Sequence, residues 1–258
     1  MELDSAQITG WLTALLWPLL RISGLMLVAP VLGANVVPAR LRVVLSLALA
    51  VLVSPLAPPP PAFDPLSAQG VLAMAMQVAI GAAIGFAVQI AFDALVMAGQ
   101  LVAMTMGLGF ATLVDPARGG ATPVLSQFLL ILGLLLFLSV DGHVALIGVL
   151  VESFRWAPVG PAGLGQDGLW SLALWAGKVF EAGLVIALPA LIALLGINLG
   201  MGVVSRAAPQ LNLFAVGFPV AMLFGFLVLL LSLPALRGVF MDLLEQAFAV
   251  AAAVGGGG

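Results

Sequence analysis

The chain has 258 residues, and only 19 are Asp, Glu, Lys or Arg, so charged residues make up 7% where a soluble domain carries about 25%. Hydrophobic residues reach 63% before the 30 glycines are counted, with a mean hydropathy of +1.27, and a water-facing surface cannot be built from the remainder. A formal charge of −3 gives no basic face for nucleic acid, and zero cysteines with one histidine, His143, exclude disulfides, thiolate sites and two-histidine metal patterns.

The N-terminus reads Met1, Glu2, Leu3, Asp4, acidic where a secretory signal is basic, which predicts an uncleaved inner-membrane protein. A hydrocarbon core about 30 Å thick needs about 20 apolar residues in a helix. Charge-free stretches of 21, 28, 21, 22, 24 and 30 residues run over 43–63, 65–92, 94–114, 119–140, 182–205 and 207–236, and residues 8–31 are apolar apart from Arg21. The block from 65 to 114 is interrupted only by Asp93 and reads as one bent helix. Six spans follow, at 8–32, 41–57, 70–106, 123–151, 169–204 and 211–236, giving an all-α integral membrane protein of long, bent hydrophobic helices. Pro55, Pro58 to Pro61 and Pro65 mark an extended connection, and Pro158, Gly160, Pro161, Gly163, Gly165 and Gly168 mark another. The tail Gly255 to Gly258 reads as disordered. Arg40, Arg42, Arg118 and Arg206 fall in the first, third and fifth connections, against Arg155 and Arg237 on the other side, which places both termini in the periplasm.

Ionisable residues within apolar segments need a partner or water, because a lone charge at mid-bilayer costs about 2.5 to 3.5 kcal/mol on insertion scales. Arg21, Asp93, Asp141, Lys178 and Glu181 are in this position. Lys178 and Glu181 are three apart on a helix and can pair, whereas Asp141 with Gly142 and His143 lies close to a segment end. A proton relay is the functional alternative. Two small-residue pairs at helical spacing, Gly81 with Gly85 and Gly196 with Gly200, are no more than the roughly three that 30 glycines produce by chance. Phosphate-binding, nucleophile-elbow and zinc-protease motifs are absent, so no enzyme activity and no cofactor is expected. An intramembrane Ser23–His143 dyad has no supporting oxyanion element.

Two connections are distinctive. The third carries Met104, Met106, Gly107, Leu108, Gly109, Phe110, Ala111, Thr112, Leu113, Val114, Asp115 and Pro116, an apolar stretch whose glycines and closing Asp-Pro argue against a regular helix. Irregular backbone at membrane depth must be buried in protein or line a cavity, so this stretch is either a reentrant turn or a constriction in a pore. The fifth carries Arg206, Ala207, Ala208, Pro209, Gln210, Leu211 and Asn212, where Pro209 stops a helix and the two amides can serve freed backbone groups. It reads as a tight cytoplasmic hairpin between long helices.

Gly107 to Pro116, followed by Arg206 to Pro219, resembles the FliR family of flagellar biosynthetic proteins, which includes the matching inner-membrane component of virulence type III secretion systems. Val140 to His143 and Val216 to Pro219 look more like the flagellar branch. The resemblance covers nearly the whole chain. It implies an export gate at the flagellar basal body, assembled with the sister membrane proteins FliP and FliQ, beside FlhB and FlhA, through which unfolded flagellar subunits pass. It further implies that Gly107 to Pro116 plugs the closed channel, with Phe110 and Leu113 as apolar stoppers. Residues 1–168 would then form a FliP-like part and 169–254 a FliQ-like hairpin turning at Arg206 to Asn212. Pro18, Pro189 and Pro219 inside apolar segments fit the broken helices of such a gate, much of it raised above the membrane. A proton-coupled transporter using Asp93, Asp141, Lys178 and Glu181 is the alternative from another class.

Overall fold

A computed structural model describes residues 5–31, 33, 37–59, 64–108, 124–160, 163–208 and 213–254. Among these residues the chain is helical without strands: α1 (Ser5–Val28), α2 (Ala39–Val53), α3 (Ala68–Thr105), α4 (Val124–Ser139), α5 (Gly142–Trp156), α6 (Gln166–Ala176), α7 (Lys178–Ala207) and α8 (Leu213–Ala253). Helices α6 and α7 abut at Gly177, which keeps a helical backbone at φ −62° and ψ −22°, and together they form one stretch of 42 residues. Among the described residues three helices, α3, α6–α7 and α8, are long and apolar enough to cross a membrane. The pair α4 and α5 adds a fourth if its 68° bend is taken within one span.

Six spans were expected, and the second of them is shorter. Helix α1 has 24 residues, close to the expected length, whereas α2 has 15 with Arg40 and Arg42 in its first turn. Charge-free length overestimated α2, because the stretch beyond it carries the run of prolines from Pro55 onward. The break within 123–151 also was not at a proline. Asp141 adopts the left-handed conformation, φ 56° and ψ 28°, and ends α4 before Gly142 starts α5. By contrast α1 continues through Pro18, α7 through Pro189, and α8 through Pro219 and Pro234. The prolines therefore do not end their helices, although each removes one backbone donor, two of them from α8. The tail Gly255 to Gly258 lies outside the described residues.

Two compact units are distinguished by their internal contacts. The first draws on Met1–Ile90, Phe137–Ala176 and Leu244–Gly258. Its seam is the crossing of α1 and α3. A Cβ on Gly24 would lie 2.1 Å from the Val78 carbonyl oxygen, and one on Gly81 would lie 1.9 Å from the Arg21 carbonyl oxygen. Only glycine admits two backbones this close. Ile22, Leu25, Ile80 and Ile84, all fully buried, fill the seam's flanks. Trp175 of α6 donates its indole N–H to the Ala87 carbonyl at 2.8 Å, satisfying the buried polar end of a large side chain.

The second unit draws on Ala91–Leu136 and Gly177–Leu243. Here α4 crosses α3 at Gly99, where a Cβ would lie 2.5 Å from Ser126 Cα, and the Ser126 hydroxyl donates to the Val96 carbonyl at 2.9 Å. Phe92 and Phe240 meet edge to face with centroids 5.4 Å apart, a favoured aromatic geometry. Ala187, Ala190 and Leu194 of α7 are buried, whereas Phe180, Ile192, Leu199 and Val203 of the same helix are each more than 60% exposed.

Candidate functional site

Helix α3 has defined ends. At its start the Ser67 hydroxyl accepts the Gly70 N–H at 3.0 Å, an N-cap bond that serves one of the first turn's unpaired donors. At its end Gly107 takes φ 81°, donates to the Met104 carbonyl at 3.1 Å, and lets Leu108 donate to the Ala103 carbonyl at 2.9 Å. This pair of bonds, with glycine in the left-handed position, is the Schellman closure that satisfies terminal carbonyls. Gly107 is thus a helix stop. Met104 is on the last turn of α3 and 62% exposed, while Met106 is buried, packed where a Cβ on Gly225 of α8 would meet it at 2.7 Å. Gly109, Phe110, Ala111, Thr112, Leu113, Val114, Asp115 and Pro116, eight of the twelve expected plug residues, lie outside the described residues.

Leu108 and Val124, the residues on either side of that segment, line one cavity of about 400 Å³ together with Leu125, Phe128, Phe226, Leu229, Leu230 and Leu233. Every lining side chain is apolar, so the cavity offers no partner to an ion or a bare peptide group.

The fifth connection begins later than expected, because α7 runs past 204 and takes in the first two residues assigned to the turn. Arg206 and Ala207 end α7, and Ala208 donates to the Val204 carbonyl at 2.9 Å with φ −134° and ψ 75°. Pro209, Gln210, Leu211 and Asn212 lie outside the described residues, and α8 starts at Leu213. Ile186, Ala187 and Ala190 of α7 share a small cavity with Leu229, Ser232 and Leu236 of α8. These residues stand at nearly equal distances along the chain from the turn, as the two arms of a helical hairpin do.

The ionisable residues divide. Lys178 Nζ donates to Glu181 Oε1 at 2.8 Å in an exposed i,i+3 pair. Asp93 is half-buried and interacts with another group of the chain, and Asp141 is exposed at the α4–α5 break. Ser23 donates its hydroxyl to the Leu19 carbonyl of its own helix at 2.6 Å. Arg21 stands apart. It has no exposed surface and meets α3, α5 and the chain just past α5. Its Nε donates to Gln77 Oε1 at 2.9 Å and its Nη2 bonds the same oxygen. Nη1 donates to the Ser153 hydroxyl at 2.8 Å and Nη2 to the Ala157 carbonyl at 2.7 Å, while the guanidinium lies 3.8 Å from the Phe154 ring centroid. Gln77 and Ser153 are fully buried. Neither was singled out from sequence; Gln77 is one of few polar residues inside its apolar stretch, the signal a buried cation's partner leaves, whereas Ser153 sits between Glu152 and Arg155 and gives no such signal.

The match to known families decides the class. Residues 12–247 match the family described as bacterial export proteins, family 1. The chain belongs to this family. Among its relatives, the flagellar biosynthetic protein FliR of Escherichia coli (strain K12) is 37% identical over 251 residues, 96% of this chain and 95% of that protein. FliR of Pectobacterium carotovorum subsp. carotovorum is 36% identical over 250 residues, again 96% and 95%. FliR of Bacillus subtilis (strain 168) is 29% identical over 250 residues, 94% of this chain and 96% of the relative. The family resemblance read from Gly107 to Pro116 and Arg206 to Pro219 therefore extends over residues 12–247.

Proposed function

We propose that this chain is a non-enzymatic subunit of the flagellar type III protein export gate in the bacterial inner membrane. It assembles there with FliP and FliQ, beside FlhB and FlhA, around a channel for unfolded flagellar subunits. The observation that carries this reading is the end-to-end similarity to FliR proteins, 37% identity over 96% of the chain. The exposed apolar faces of α7 and α8 support it, because Phe180, Ile192, Leu199, Leu223 and Leu231 are each more than 60% exposed and need lipid or sister subunits against them. Residues 1–168 form the FliP-like part and 169–254 the FliQ-like hairpin, whose turn at Arg206 to Asn212 faces the cytoplasm.

In the same reading the segment that follows the Gly107 stop seals the channel at rest. Its support is chemical: Phe110, Leu113 and Val114 are bulky and apolar, and a ring of apolar side chains excludes ions by dewetting. Deleting residues 109–116 while keeping the Gly107 cap should raise ion conductance of membranes carrying the complex at least about tenfold in liposome or bilayer recordings. Unchanged conductance in the deleted complex removes the sealing role.

A further inference from the structure

Arg21 is a fully buried cation whose contacts among the described residues are all neutral: an amide, a hydroxyl, a backbone carbonyl and an aromatic face. Two of its N–H groups converge on Gln77 Oε1, the position a carboxylate oxygen would take to neutralise the charge. Those bonds fix the amide orientation and leave Gln77 Nε2 buried with no acceptor among the described residues. Glutamate has the same shape, would carry the missing charge and would not bury an idle donor. The junction is thus weaker than its own geometry permits.

Two further observations concern α5. Its far end carries both remaining ties, since Ser153 and Ala157 hold Arg21 there and Phe154 lies beneath the guanidinium. Its near end is the 68° bend, where Asp141 sits in the left-handed region and Gly142 packs on the Phe137 ring so closely that a Cβ would meet it at 2.4 Å. Helix α5 is therefore a 15-residue arm with a bend at one end and an uncharged tie at the other.

We propose that the Arg21–Gln77 node is a releasable clasp, which holds the C-terminal end of α5 on α1 and α3 and lets it go during the protein's working cycle. Gln77, standing where a counter-ion would lock the node, sets its strength.

The test is Gln77→Glu in the full chain, purified in detergent beside the wild type. The clasp account expects the melting temperature to rise by about 3 °C and hydrogen exchange of the 150–157 backbone amides to slow about tenfold. A lower melting temperature, failure to accumulate, or unchanged exchange would overturn it. Ser153→Ala is the companion variant, removing the α5 side-chain tie without touching charge, and it should speed exchange at the same amides. If it does not, the node does not hold α5. The cellular arm alone rests on the export reading: in a strain lacking its own copy, the wild-type chain should restore swimming and Gln77→Glu should at least halve the swimming zone. Wild type failing to restore swimming counts against the export reading alone, whereas full swimming by a locked Gln77→Glu protein sinks the release.

Discussion

Gly81 and Gly85 on α3 share their spacing with Gly196 and Gly200 on α7, yet their surroundings are opposite. A Cβ at 81 would fall 1.9 Å from the Arg21 carbonyl oxygen and one at 85 would fall 3.0 Å from the Ala29 nitrogen, whereas at 196 and 200 nothing stands within 4 Å. The spacing only makes a helix face flat. What turns flatness into packing is a second backbone, which α1 supplies to α3 and nothing among the described residues supplies to that stretch of α7. Composition could not separate the two cases, because both pairs fall within the number chance allows.

The comparison can be broken by alanine at each position, read by thermal melts of the purified full chain. Gly81→Ala should be the most damaging, since backbone atoms on both sides must part, at about 3 kcal/mol or a protein that no longer accumulates. Gly85→Ala should cost about 1 kcal/mol or less, because the neighbouring Ala29 backbone has only to give by a few tenths of an ångström. Gly200→Ala should stabilise the isolated chain by up to about 1 kcal/mol, through helix propensity with no clash to oppose it. If Gly200→Ala is as harmful as Gly81→Ala in the isolated chain, the contrast between the two faces is wrong. If it is harmless alone and lowers recovery of the assembled complex, a neighbouring subunit supplies the second backbone.

Much of the architecture was legible from charge placement, and the failures share a cause. Stretches without charge located α3, α6–α7 and the start of α8. They ended α8 at 236, before Arg237, although the helix runs to Ala253. The pattern beyond 236 is amphipathic: Leu236, Phe240, Leu243, Leu244, Ala247 and Ala251 are buried, and Arg237, Asp242 and Glu245 are exposed between them. Periodicity carries the helix on where hydropathy stops it. The α4–α5 bend was missed for a related reason, since prolines were taken as the breakers and a single left-handed Asp141 made the turn. In the candidate site, Gly107 was legible as a break and Lys178–Glu181 as a possible pair. The partners of Arg21 were not, because Gln77 and Ser153 lie 56 and 132 residues away and no local spacing joins them.

The cavity lined by both Leu108 and Val124 has a consequence for how this protein can vary. Leu108 and Val124 stand on one wall, so the two ends are close together, whereas fifteen residues fully stretched could reach about 50 Å. Closing a longer loop between fixed ends adds only about 0.6 kcal/mol for each doubling of length. Lengthening the chain between Leu108 and Val124 should therefore cost the helical frame little stability, so a change in conductance after such an insertion would report on the sealing role proposed for 109–116 and not on loss of fold.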